Sequence, residues 1–210
     1  DLRAHAPRLA LNHAKSLVDR GQIPAGRELL DLAEQALRQT GDLTNIANAI
    51  VARGMLERAQ GRYKAALACA GEAQAVLAAA PGERYRWLQA ERLRGFCLGM
   101  QDQPEEALAA LQRAAAGFRQ LAEAAAESNV PLTLFHDLAE TLGDLGVVFF
   151  RDGQLLEAQK SVLEALQLRR TIRTNLIALA VALNNAGYLH CQAGEYKKAW
   201  LLFEEALILG

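Results

Sequence analysis

Apolar residues return every three to four positions through ten stretches of this 210-residue chain, with charged and amide side chains on the opposite faces. That period is helical. It predicts first helices of five pairs near residues 4–20, 43–60, 83–101, 132–152 and 175–193. The second helices fall near 24–40, 64–79, 104–128, 155–171 and 197–209. The punctuation agrees. Gly41-Asp42 and Pro81-Gly82 separate pairs, Pro131 opens the fourth, and Pro24 and Pro104 sit in first helical turns, where a missing N–H costs nothing.

The pairs repeat. In the last one, Ala178 to Leu209, Gly187 is followed at fixed offsets by Gly194, Tyr196, Ala199, Phe203 and Ala206. Gly187 and Ala199 are small where two helices must cross closely. Gly194 stands where a left-handed backbone ends the first helix. Tyr196 and Phe203 are expected to fill the gap between the helices, and Ala206 to face the next helix. The same offsets recur from Gly54, Gly95 and Gly146, and in degraded form from Ala14; the centres lie 40, 41, 51 and 41 residues apart. Such units cannot bury their apolar faces alone, so they stack. The expected fold is all-α: a right-handed superhelix, or α-α solenoid, of five helix pairs in one domain over 1–210, with repeats at 4–41, 43–80, 83–129, 132–172 and 175–209. The third repeat carries ten extra residues around 117–136. Shared between two antiparallel helices they add about 7–8 Å of hairpin, either a longer rim or a docking knob.

Composition changes the picture little. Abundant Ala, only five Pro and 6% aromatics suit closely packed helices. A net charge of −1 gives no bulk attraction to nucleic acid or anionic membrane. Arg169, Arg170 and Arg173 read as a solvated loop, and Arg84, Arg86, Arg92 and Arg94 as a run with glutamate partners. Cys69, Cys97 and Cys191 have no metal or redox spacing, which fits a reduced, cytoplasmic setting. No apolar run approaches membrane-spanning length and no signal peptide is evident. Phosphate-loop, His–Glu–x–x–His and nucleophile-elbow patterns are missing, and His5, His13, His136 and His190 form no ligand set. No enzyme, metal or cofactor is expected, and His190 reads as a packed residue. The chain opens on Asp1 and closes on Gly210, straight after a last helix that ends on the apolar edge Leu207-Ile208-Leu209. It is expected to be a piece of a longer protein and capable of end-to-end self-association through that edge.

The residues Asn184-Asn185-x-Gly187 and Gly194-x-Tyr196-x-x-Ala199 resemble the tetratricopeptide repeat superfamily, and the resemblance covers essentially the whole chain. The period near 41 is similar to the long-helix subclass, which includes kinesin-light-chain repeats and the sensor domain of MalT-like bacterial signal-transducing ATPase regulators. Ala52-Arg53-Gly54 and Arg92-Leu93-Arg94-Gly95, each before an Ala-rich second helix, look more like the sensor group. The resemblance implies a sensor domain whose parent carries an ATPase module.

In such a fold the first helices line the concave side. Offsets from the central small residue place Asn48, Met55 and Arg58, then Gln89, Arg92 and Phe96, then Phe150, then Asn184, Tyr188 and Gln192 on that face, with Arg8 and Lys15 in the first repeat. Rigid aromatics beside forked Arg donors suit a peptide, a carboxylate-bearing ligand or a sugar-like molecule. The expected function is therefore non-catalytic recognition of a protein, peptide or small-molecule effector in this groove, as the sensor part of a bacterial signal-transduction or transcription regulator. Direct nucleic-acid or membrane binding is not expected. The alternative is a constitutive peptide-binding scaffold of the kinesin-light-chain or co-chaperone type.

Overall fold

All ten expected helices form, each within a few residues of its expected ends. The computed structural model describes residues 2–80, 82–125, 131–172 and 175–209. Pro81, the last part of the extended hairpin at 126–130, and Arg173 lie outside the described residues. Among the described residues the elements are α1 (Leu2–Asp19), α2 (Ile23–Thr40), α3 (Leu43–Ala59), α4 (Tyr63–Leu77), α5 (Arg84–Gly99), α6 (Pro104–Ala125), α7 (Leu132–Arg151), α8 (Leu155–Ile172), α9 (Leu176–Gln192) and α10 (Tyr196–Leu209), with no strand. At 22 residues α6 is longer than any other of the ten, as the extra residues of the third repeat require.

The helix ends have local causes. Asp42 accepts the Asn45 backbone N–H at 3.1 Å and starts α3; Asn175 does the same for α9 through Ala178 N at 2.9 Å. Gly61, Gly153 and Gly194 reverse the chain within their pairs at φ 71°, 77° and 75°, a conformation that costs an L side chain about 1–2 kcal/mol. The third repeat puts Asp102 in the same place at φ 57°.

The chain divides into two compact units, Asp1–Gln101 and Asp102–Gly210. In the first, Leu11, Leu30, Leu37, Ile50 and Leu56 are 2% exposed or less and tie α1 through α3 together. Each such side chain contributes about 1.5–3 kcal/mol by leaving water. Here α3 touches α1 and α5 as well as α2 and α4, whereas no comparable contact joins α2 to α4. The first helices therefore converge on one side and the second helices splay on the other. In the second unit the core runs from Val162 and Leu166 on α8 to Leu179 and Leu183 on α9. Each helix touches its chain neighbour, and α7 and α9 make no contact comparable to that between α3 and α5.

The small central residues lie where helices cross. A Cβ at Gly54 would stand 2.5 Å from Leu93 Cδ2 and 2.9 Å from Cys69 Cβ, and one at Gly187 would meet the Phe203 ring at 2.6 Å. Phe203 thus fills the gap between α9 and α10 as expected, but Tyr196 does not: it is 70% exposed. Its counterpart Tyr63 leans on Phe96 of the following first helix, ring centroids 6.2 Å apart. The aromatic at this position serves the next pair rather than its own, and Tyr196 lies open among the described residues.

Candidate recognition surface

The seam between α1, α3 and α5 gathers most of the expected site residues of the first unit. Lys15 donates to Asn48 Oδ1 at 2.7 Å, joining α1 to α3. The Arg58 guanidinium lies 3.5 Å over the Phe96 ring, and Arg92 Nη2 approaches Met55 Sδ at 3.7 Å, joining α3 to α5. Gln89 donates to Tyr85 OH at 3.1 Å and accepts from Arg86 at 3.3 Å. Asn48 and Arg92 are buried, at 7% and 5% exposure, while Met55, Arg58, Gln89 and Phe96 are half-buried. The accessible part of this seam is therefore the Arg58–Phe96 stack and the amide and phenol groups around Gln89. Of the basic run on α5, Arg94 has the expected glutamate partner, Glu91 at 3.8 Å, whereas Arg84 stands 5.9 Å from the Trp87 ring and Arg86 lies beside Tyr85 and Gln89.

Carboxylates of the same helices point the other way. Glu57 on α3 accepts from Arg27 of α2 at 2.7 Å and from Arg62, and these two donors, Arg62 foremost, hold its pKa below the usual carboxylate range against the opposing effect of burial. Glu91 on α5 accepts from Gln74 of α4 at 2.6 Å. Glu34 and Glu72 bind Arg38 and Arg53 on the same second-helix side. The first-helix seam of this unit thus carries Lys15, Arg58 and Arg92, while Glu57 and Glu91 reach toward the second helices. Cys69, beside Arg53, is buried, and that burial raises its thiol pKa, which favours the unreactive thiol.

In the second unit Phe150 and Tyr188 meet edge to face, centroids 5.4 Å apart. They rim a cleft of about 140 Å³ floored by Val162 and lined also by Gly146, Val147, Asn185 and Leu189. Phe150 is half-buried; Asn184, Tyr188 and Gln192 are exposed, so the structure brings Phe150 and Tyr188 together but leaves Asn184 and Gln192 outside that contact. His190 is 8% exposed and its Nδ1 lies 2.5 Å from Glu195 Oε2, a packed and partnered position. Arg170 of the expected basic loop is ion-paired to Glu205. Sequence reasoning missed Tyr63, Tyr85 and Asn185. Tyr63 was legible as the counterpart of Tyr196; Tyr85 and Asn185 fall at offsets not assigned to this face.

Residues 137–207 match the tetratricopeptide repeat family. No curated protein matches the sequence. Solved structures extend the likeness to nearly all of the chain. One is a Rap protein complexed with Competence and Sporulation Factor, with TM-score 0.81, 16% identity, and coverage of 95% of this chain and 52% of that one. Another is the Rap conjugation gene regulator of plasmid pLS20 in complex with the Phr* peptide, with TM-score 0.73, 13% identity, and coverage of 95% and 52%. A third is a kinesin light chain from Podosopora anserina with nearly identical TPR-like repeats, with TM-score 0.59, 14% identity, and coverage of 96% and 93%. This chain spans about half the length of the two Rap proteins. Its fold is the all-α solenoid of tetratricopeptide-like helix pairs. Among the described residues no helix is long and apolar enough to cross a membrane.

Proposed function

We propose that the chain is a non-catalytic recognition module that takes an extended peptide carrying acidic side chains along its first-helix face, as the effector-sensing part of a bacterial regulator. One observation carries the reading: the α1–α3–α5 seam holds Lys15, Arg58 and Arg92 beside Phe96 and Met55, while Glu57 and Glu91 of the same helices are bound on the opposite side. A cationic lining gives charge complementarity to an acidic ligand, and a half-buried aromatic supplies contact area at low entropy cost. The Rap proteins of similar fold, solved in complex with Competence and Sporulation Factor and with the Phr* peptide, support a peptide over a sugar. The kinesin-light-chain likeness supports the alternative, a constitutive scaffold using the same face. Fluorescence anisotropy with a labelled library of Asp/Glu-rich, neutral and basic peptides tests the proposal. Acidic peptides should bind, weaken as salt is raised, and lose affinity with Arg58→Gln and with Phe96→Ala. Equal binding of all three classes, or affinity unmoved by both variants, refutes it.

A further inference from the structure

The last helix presents an apolar face that is exposed among the described residues. Tyr196, Trp200, Leu201, Leu207 and Ile208 are 64–84% exposed on α10. Shifted by one repeat, the stripe Tyr196, Trp200, Phe203, Leu207 corresponds to Leu155, Gln159, Val162 and Leu166 of α8. On α8 that stripe meets α9: Leu166 is 2% exposed in one cluster with Leu179 and Leu183, and Gln159 reaches the Leu189 carbonyl of α9 at 3.5 Å, while Val162 also packs on Gly146 of α7. The α10 stripe is therefore built to receive a helix. The neighbouring stripe carries a second signal. Where α8 has Leu156, Lys160, Leu163 and Gln167, α10 has Lys197, Leu201, Glu204 and Ile208. The apolar pair has moved beside Trp200 and Leu207, widening the face beyond what the following repeat covers in α8, and charges now stand at 197 and 204.

Those two charges select the occupant. Lys198 is bound to Glu195 at 2.7 Å and Arg170 to Glu205, but among the described residues Lys197 and Glu204 enter no ion pair. They lie two turns apart, basic toward the start of α10 and acidic toward its end. We infer that α10 pairs with α10 of a second copy of this chain, antiparallel about a two-fold axis between positions 200 and 201. Such an axis sets Lys197 against Glu204 of the partner twice over and doubles Trp200 and Leu201 between the two pairs. The contact is isologous and closes at a dimer. The described exposed residues of α1 include Arg8, Asn12 and His13 with Leu9, a polar set that does not match the α10 face. The five apolar side chains would bury on the order of 500 Å² per protomer, and the total of roughly 1,000 Å² is at the lower bound for a specific interface. The dimer is accordingly concentration-dependent.

Sedimentation equilibrium of the full chain over about 1–500 µM, a range that brackets such an affinity, tests this. The expected result is a monomer–dimer equilibrium that Trp200→Glu abolishes, with circular dichroism confirming an unchanged helical signal. Lys197→Glu and Glu204→Lys should each weaken the dimer about tenfold, and an equimolar mixture of the two variants should restore it, because each then meets its complement. A chain that stays monomeric throughout, one that grows past the dimer, or a dimer indifferent to both charge reversals overturns the proposal.

Discussion

Gly54→Ala should destabilise the chain, and Gly71→Ala, one helix away, should stabilise it. Both glycines sit inside helices, where alanine is intrinsically favoured by about 0.5–1 kcal/mol. At Gly71 a Cβ would meet nothing within 4 Å, so the full gain is expected. At Gly54 it would stand 2.5 Å from Leu93 Cδ2 and 2.9 Å from Cys69 Cβ. Carbon atoms pack best about 3.5–4.0 Å apart, so both neighbours must retreat by several tenths of an ångström or more. Neither can do so cheaply: Leu93 is fully buried, and a Cβ moves only with its backbone, which would push α4 from α3. Overpacking of this kind costs about 1–3 kcal/mol. Net of the propensity gain, Gly54→Ala loses up to about 2.5 kcal/mol, and the two variants differ by the overpacking cost itself, about 1–3 kcal/mol. At roughly 2–4 °C per kcal/mol for a chain of this size, their Tm values should separate by about 2–12 °C. Chemical denaturation followed by circular dichroism gives the same difference independently. Leu93→Val, which removes the nearer methyl, should cost less in the Gly54→Ala background than alone. A Gly54→Ala chain as stable as Gly71→Ala would mean that α3 and α4 are not closely apposed there.

Two further predictions follow from single residues. Asp102 holds φ 57° without being glycine, and its ion pair with Arg151 at 2.9 Å is exposed and worth little. Asp102→Gly should therefore raise stability by about 0.5–1 kcal/mol, measured as an increase in Tm; a decrease would refute the strain argument. Glu57 has a folded pKa below its unfolded one, so its contribution is present above the unfolded value and lost as pH falls through the folded one. Glu57→Gln should cost about 1–3 kcal/mol at pH 7 and progressively less below about pH 4.3. A cost that stays constant across that window in paired denaturation curves would show that Arg62 and Arg27 do not act through charge.

The repeat architecture was legible because its marks are packing residues with local or single-neighbour causes. Gly194 announces a left-handed turn by itself, and Gly54 and Gly187 announce a crossing with their own second helix. The tally of helices and their ends needed nothing else. Tyr196 was misread because its role depends on the pair after it: Tyr63 shows the position working, against Phe96, whereas Tyr196 is exposed among the described residues.

The candidate face was harder to read for a related reason. Arg92 and Asn184 occupy the same offset in their repeats, yet Arg92 is 5% exposed and Asn184 lies open to solvent. The offset fixes which side of the helix a residue occupies, but access depends on how near the adjacent first helix comes. It comes close between α3 and α5, where Arg92 is buried beside Met55. Between α7 and α9 it does not, and the Phe150–Tyr188 cleft opens instead. That spacing is set jointly by the residues buried between successive pairs, such as Leu93 in one case and Val162 in the other, and no single position reports it. The residues best placed to discriminate a ligand are accordingly those that remain accessible where the helices converge, Arg58 and Phe96, together with Tyr188 where they part. Substitution of Arg92 tests packing at least as much as recognition.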